Sequence, residues 1–204
     1  MTRFRLPPEL LDRARGFRTR TILGIAGAPG AGKSTLAAAV KEALGDRCAV
    51  VGMDGFHYTN EELERLGRRD RKGAPDTFDA YGYIALLNRL RTEQRDIYAP
   101  AYQRGIGYSI SGAVRIPASV NLVITEGNYL LLDEEPWSGV KNLLDESWYV
   151  DLDGPTRIAR LIERHVESGK TREKAEAWTL GPDQANAELI ASSQAHADKI
   201  ITLT

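Results

Sequence analysis

The sequence predicts an α/β fold: a parallel five-stranded sheet with helices on both faces. Three observations carry that expectation. Short β-branched runs alternate with longer helical patterns along the chain. The runs are apolar almost throughout rather than alternating, as strands covered on two faces are. A glycine-rich loop, GAPGAGKS at 27–34, joins the first run to the first long helix. Such alternation implies βαβ units with right-handed crossovers, hence strands that run mainly parallel.

A helix is expected over 7–18, then the first strand over 21–26 (TILGIA) and a helix over 33–44. The second strand is expected at 48–53, where Cys48 opens the run CAVVGM. Residues 54–120 read as irregular apart from a helix at 81–90, and are rich in glycine, charge and tyrosine. Long irregular connections inside a compact domain are usually functional. The third and fourth strands are expected at 122–125 and 148–151, helices at 155–168, 172–178 and 184–197, and a last strand at 199–203.

Composition sets the outer limits. With 204 residues, 42% hydrophobic and 27% charged, the chain is expected to form one domain, 1–204. A net charge of -1 and a pI near 6.3 speak against nucleic acid as a partner. Cys48 is the only cysteine, so no disulfide or cysteine zinc site forms within one chain, and a small buried residue is the expected role. The N-terminus lacks the apolar segment of a signal peptide, and no run is long enough to cross a membrane, so a cytoplasmic protein is expected. Oligomeric state is left open, a homodimer included.

The loop carries the chemistry. It satisfies G-x-x-x-x-G-K-[ST] at every fixed position, between a predicted strand and a predicted helix. Gly27, Ala28, Gly30, Ala31 and Gly32 would aim backbone N–H groups at phosphate oxygens, with Pro29, which has none, shaping the loop between them and the positive end of the next helix adding to the attraction. Lys33 would reach the outer phosphates, the Ser34 hydroxyl would ligate Mg²⁺, and Thr35 completes the segment.

Three downstream segments bear on the fate of that phosphate. Asp54, in MDGFH at 53–57, stands just past a strand end, where ligands bind in parallel sheets. It could take a proton from an attacking hydroxyl, or serve as a turn or cap residue before Gly55. Glu126 ends the run NLVITE at the place of a Walker-B acid, for metal or substrate work; capping is the alternative. Arg157, Arg160 and Arg164 share one helical face before Gly169 breaks the pattern. Such a stripe could close over a triphosphate, or be solvated beside Glu163 and Glu167.

These segments, with RKGAPDTFD at 71–79, APAYQRGIGYS at 99–109 and LVITEGNYLLL at 122–132, resemble the phosphoribulokinase, uridine kinase and pantothenate kinase family of P-loop small-molecule kinases. The likeness spans 21–132 in order, and the arginines extend it to about 172. It implies a three-layer P-loop NTPase sandwich, an acceptor-site insertion over about 54–120 and an arginine-bearing lid over about 160–180. It also implies ATP with Mg²⁺ as donor and a small-molecule hydroxyl as acceptor. Asp54 matches the base, Arg160 and Arg164 the lid residues that grip ATP, and the Tyr102 segment part of the acceptor site.

Two departures bear on the acceptor. Arg104 stands where the pantothenate kinases place a substrate-contacting histidine, and the long C-terminal extension that completes their pocket has no counterpart here. Gly73-Ala74-Pro75 replaces the Asp-His-Pro of uridine kinases and its ribose-binding aspartate. The chain looks more like compact bacterial members described as nucleoside or nucleotide kinases, or as sugar-transport-associated kinases. Arg104 suits an acceptor already bearing phosphate or carboxylate. His57 is either an acceptor contact or a core residue. Phe78 is the aromatic best placed to face a ligand; Tyr102, Arg104, Lys72 and Arg71 could form an anionic or polyhydroxyl pocket, although for Arg71 and Lys72 surface solvation is the favoured expectation. The rivals are a regulatory ATPase or GTPase, a nucleoside monophosphate kinase and a binding-only relative. The guanine-reading Asn-Lys-x-Asp of GTPases is absent from the chain.

Overall fold

The computed structural model describes residues 4–203. Its elements are α1 (Pro8–Gly16), β1 (Thr21–Ala26), α2 (Lys33–Leu44), β2 (Cys48–Gly52), α3 (Asn60–Arg65), α4 (Ala80–Thr92), β3 (Ile97–Gln103), β4 (Tyr108–Ile116), β5 (Leu122–Glu126), β6 (Glu146–Asp151), α5 (Gly154–Glu167), α6 (Arg172–Trp178), α7 (Gln184–Ala191) and β7 (Lys199–Thr202). The main sheet has the order β2-β5-β1-β6-β7, all neighbours parallel. This is the α/β architecture that the strand runs predict.

The absence of polar alternation has a direct cause. All six residues of β1 are buried. Ile22, Val51 and Val123 face a core completed by Tyr83, Leu86, Leu87 and Leu90 of α4. Leu23, Ile25, Ile124 and Trp148 face a second core built with Leu36 and Val40 of α2 and Leu10 and Ala14 of α1. Each strand thus needs apolar groups on both sides. Cys48 lies in the second core, where burial pushes its thiol up to about 11, so it is packing rather than chemistry.

The 54–120 segment is more ordered than its composition suggests. It holds α3 and an antiparallel hairpin of β3 and β4, a second, two-stranded sheet. Pro100 obscures the first strand of that hairpin. The register shifts between Ala99 and Ala101, and such a bulge is where a strand tolerates proline. Smaller differences occur at element ends: β2 gives way to a 3₁₀ turn at Met53–Phe56, and α7 stops at Ala191, short of the expected 197.

A buried aromatic group holds the 73–77 segment against the body. Trp137 packs on Phe78, Tyr83 and Tyr129, and its indole N–H donates to the Pro75 carbonyl at 3.1 Å. The Tyr129 hydroxyl donates to the Gly73 carbonyl. Trp137→Ala is expected to destabilise the protein by about 3–5 kcal/mol, read by denaturant unfolding.

Register places the site. Glu126 is level with Ile25 of β1 and Gly52 of β2, so the loops after all three strands open at one edge. Gly55 lets the hairpin approach that edge: a Cβ there would lie 2.5 Å from the Pro100 carbonyl oxygen. Among the described residues, no helix is long and apolar enough to cross a membrane.

Candidate active site

The 27–34 loop wraps between the end of β1 and the start of α2. Gly27 has φ 145°, and a Cβ on it would sit 2.6 Å from the Val150 carbonyl oxygen, so this turn admits only glycine. Gly32 caps α2 without any side-chain cap bond, which leaves the first N–H groups of the helix for an anion. The Ala28 carbonyl accepts from the Ala31 N–H and Pro29 lines the cleft above the loop; the Ala31 methyl is turned into the core beneath it.

Lys33 is buried under the loop. Its ammonium donates to the carbonyls of Gly27 at 2.8 Å and Ala28 at 3.0 Å, and to Asn128 Oδ1 at 2.7 Å. Burial lowers it to about 8, against the opposing pull of Glu126 and Asp54. A phosphate anion beside it favours the charged form. Nucleotide binding near pH 8 is therefore expected to take up a proton, and affinity should fall above that pH as the free lysine loses its charge. Calorimetry in buffers of different ionisation enthalpy measures the uptake; at pH 6 it should vanish.

Glu126 is half-buried. The Ser34 hydroxyl donates to its Oε1 at 3.2 Å. Its carboxyl is held above the usual range, chiefly by desolvation and next by the Asp54 charge. A desolvated acid beside a second carboxylate and a hydroxyl suits a divalent cation. Among the described residues, no group of three His, Cys, Asp or Glu side chains could hold a metal unaided. Mg²⁺ fits this set, because it is ordinarily held by one or two carboxylates together with substrate phosphates.

Asp54 stands in the 3₁₀ turn after β2. Arg104, in the turn between β3 and β4, donates to its Oδ2 at 3.1 Å. His57 Nδ1 lies 2.9 Å from the Asp54 carbonyl, which can only accept, so that nitrogen carries the proton. Burial lowers the His57 imidazole. Its ring packs at a tilt between Phe78, 4.0 Å away between centroids, and Tyr102, 4.9 Å away. The structure thus brings Asp54, His57, Phe78, Tyr102 and Arg104 to one place.

Two clefts meet at the loop. The first, about 460 Å³, holds Asp54, His57, Phe78, Tyr102, Glu126 and Asn128. The second, about 780 Å³, is lined by Gly32, Thr35, Arg160, Thr202 and Leu203. Gly30, Lys33, Ser34, Arg104 and Arg164 border both. Arg164 makes no side-chain hydrogen bond or ion pair among the described residues, and burial lowers its guanidinium.

The structure divides the arginine stripe. Arg157 is buried and does not reach either cleft; it donates to the Pro29 carbonyl at 3.4 Å and to Gln184 Oε1, tying α5 and α7 to the loop. Glu163 pairs with Arg172 rather than with the stripe. Arg71 is exposed, as expected, and pairs with Asp76, but Lys72 is not solvated: it lies in the first cleft, bonded to Asn60. Sequence reasoning also missed Asn128, Arg69, Lys170, Trp178 and the His165–Asp183 pair, all lining the first cleft. Only Asn128 had a local signal, two residues after the strand-end acid; the others come from distant segments.

A parallel sheet of this order, with a glycine-rich phosphate loop after β1 and an acid level with it on β5, defines a P-loop kinase fold. The chain belongs to the phosphoribulokinase / uridine kinase family, whose model matches residues 22–203. A Schizosaccharomyces pombe protein provisionally named a uridine kinase is 33% identical over 210 residues, covering 95% of this chain and 88% of that one. A crystal structure of a Silicibacter sp. TM1040 protein, provisionally named a fructose transport system kinase, superposes with a TM-score of 0.83 at 34% identity, over 94% of this chain and 98% of that one. The pantothenate kinase of Enterococcus faecalis is 33% identical over 138 residues; the match takes in 65% of this chain and only 45% of that enzyme. The protein is a P-loop small-molecule kinase.

Proposed function

We propose that this kinase transfers the γ-phosphoryl group of Mg·ATP to a hydroxyl of a small metabolite, with Asp54 as the general base. The observation that carries the reading is the pair of clefts joined at Lys33 and Ser34, with Asp54 in one of them alone. ATP lies along the second cleft with its γ-phosphate at the junction, and the acceptor fills the first. A regulatory ATPase would have no use for the first cleft.

Each group has a defined task. Asp54 accepts the proton of the acceptor hydroxyl, whose oxygen attacks the γ-phosphorus as the bond to the β–γ bridging oxygen breaks. Arg104 keeps the Asp54 carboxylate turned into the cleft. Lys33 and Arg164 meet the oxygens of the transferring group from the two sides of the junction, and Arg160 grips the nucleotide from α5. Ser34 and Glu126 would hold Mg²⁺, which supplies charge neutralisation at the phosphates when bound. The transition state is loose, so positioning and charge account for most of the acceleration. His57, Phe78 and Tyr102 form the wall against which the acceptor is set.

The test is ADP release from Mg·ATP against sugars, nucleosides, nucleoside monophosphates, pantothenate and related vitamins. Stimulation by one chemical class, on the order of tenfold or more over basal hydrolysis, is expected. Slow hydrolysis that no class changes contradicts the reading.

A further inference from the structure

The charges in the first cleft do not balance, and the imbalance is localised. Lys33, Arg69, Lys72, Arg104, Arg164 and Lys170 line it, against the acids Asp54, Glu126 and Asp183. Most of these already have a counterpart. Lys33 sits under the phosphate loop, Arg104 is on Asp54, and Asp183 lies 2.7 Å from His165 Nε2. Arg164 borders both clefts. Arg69 and Lys72 are left over, and Lys170 meets Asp183 only through the His165 ring, whose Nδ1 accepts from its ammonium at 3.0 Å.

None of the three forms a direct ion pair among the described residues. The Arg69 guanidinium makes neither an ion pair nor a hydrogen bond among the described residues. The Lys72 ammonium has only neutral partners: Asn60 Oδ1 at 2.7 Å, the Gly107 carbonyl at 3.2 Å and the Tyr102 ring at 5.2 Å. Lys170 lies 3.0 Å from His165 Nδ1 and 5.3 Å from the centre of the Trp178 ring. Lys72 is lowered by burial and then by the charge of Arg69, against a weaker pull from Glu61. Lys170 is lowered by burial, with Arg164 and Arg69 adding to it against Asp183. The neighbouring arginines show the contrast. Arg68 and Arg71 both pair with Asp76 on the outer surface. The same short segment therefore gives Arg68 and Arg71 a paired acid, while Arg69, itself exposed, and Lys72 line the cleft without one. Lys72 and Lys170 are half-buried. Such cations without a bonded counter-charge are costly, and an anion completes them.

We propose that the acceptor is anionic: a hydroxy compound whose phosphate or carboxylate is received by Arg69, Lys72 and Lys170 while its reacting hydroxyl meets Asp54. This rests on the first cleft being the acceptor chamber. Lys170 comes just after Gly169 at the end of α5, whereas Arg69 and Lys72 precede α4, so the anion bridges the α5–α6 arm to the 69–72 segment. An acceptor that carries the charge draws the arm over the site; a neutral analogue of the same skeleton does not.

The test is calorimetry on the protein saturated with Mg²⁺ and a non-hydrolysable ATP analogue, so that the phosphate loop is filled. The probes are matched sets of polyol, sugar acid and polyol phosphate of three to six carbons. In at least one set the phosphate or the acid should bind about tenfold or more tighter than its neutral counterpart. That preference should shrink below about threefold in a Lys72→Met, Lys170→Met double variant whose affinity for the ATP analogue matches wild type. Tighter binding of the phosphate than of the acid assigns the subsite to phosphate, and the reverse assigns it to carboxylate. Equal affinity within every set, no binding of any charged member, or a preference that survives the double variant overturns the proposal. Charge-selective binding without ADP release from authentic ATP would keep the anion subsite and refute phosphoryl transfer instead.

Discussion

Asp54→Asn is expected to lower acceptor-dependent turnover by about three orders of magnitude while leaving the affinity for ATP within a factor of about two. The substitution keeps size and shape, and the amide oxygen can still accept from Arg104, which bonds Asp54 Oδ2 at 3.1 Å. What is lost is basicity at the atom that takes the proton. Asp54 does not line the second cleft, so nucleotide binding should be spared. The split between kcat and the ATP dissociation constant is the diagnostic, because a disordered site would move both. Unchanged turnover would remove Asp54 from the mechanism.

Lys33→Met is the second large effect. It should cut kcat/KM for ATP by about a hundredfold to a thousandfold, with the protein still folded. Methionine fills the buried space beneath the loop but supplies neither charge nor donors. The Gly27 and Ala28 carbonyls and Asn128 Oδ1, all within 3.0 Å of the ammonium, would lose their shared donor. Proton uptake on nucleotide binding near pH 8 should disappear in this variant, since the group that takes up the proton is gone. Retained uptake would assign the proton to a different residue.

The sheet was legible because burial on both faces leaves a plain mark: β1 is TILGIA, without a charged residue. The phosphate loop was legible because its fixed glycines answer to backbone geometry, as the Val150 contact at Gly27 shows. The hairpin was not, because Pro100 and an exposed β4 break both the propensity and the alternation that mark a strand. Nor could spacing show that Arg157 turns inward while Arg164 reaches the clefts, since a helical stripe fixes a face and not its neighbours. Lys72 looked solvated because its surroundings in sequence are charged. Its cleft is built from residues 57–60, 102–107 and 165–186, which only the fold brings together.

The central claim is that phosphate leaves ATP for a hydroxyl bound beside Asp54. Its most direct test uses ATP labelled in the γ-phosphate, incubated with the protein and a small-molecule cell extract and followed by mass spectrometry. One labelled phosphoester should appear, heavier than an extract component by a single phosphoryl group and absent with Asp54→Asn. Label recovered only in inorganic phosphate, at equal rates in the two proteins, would contradict the account.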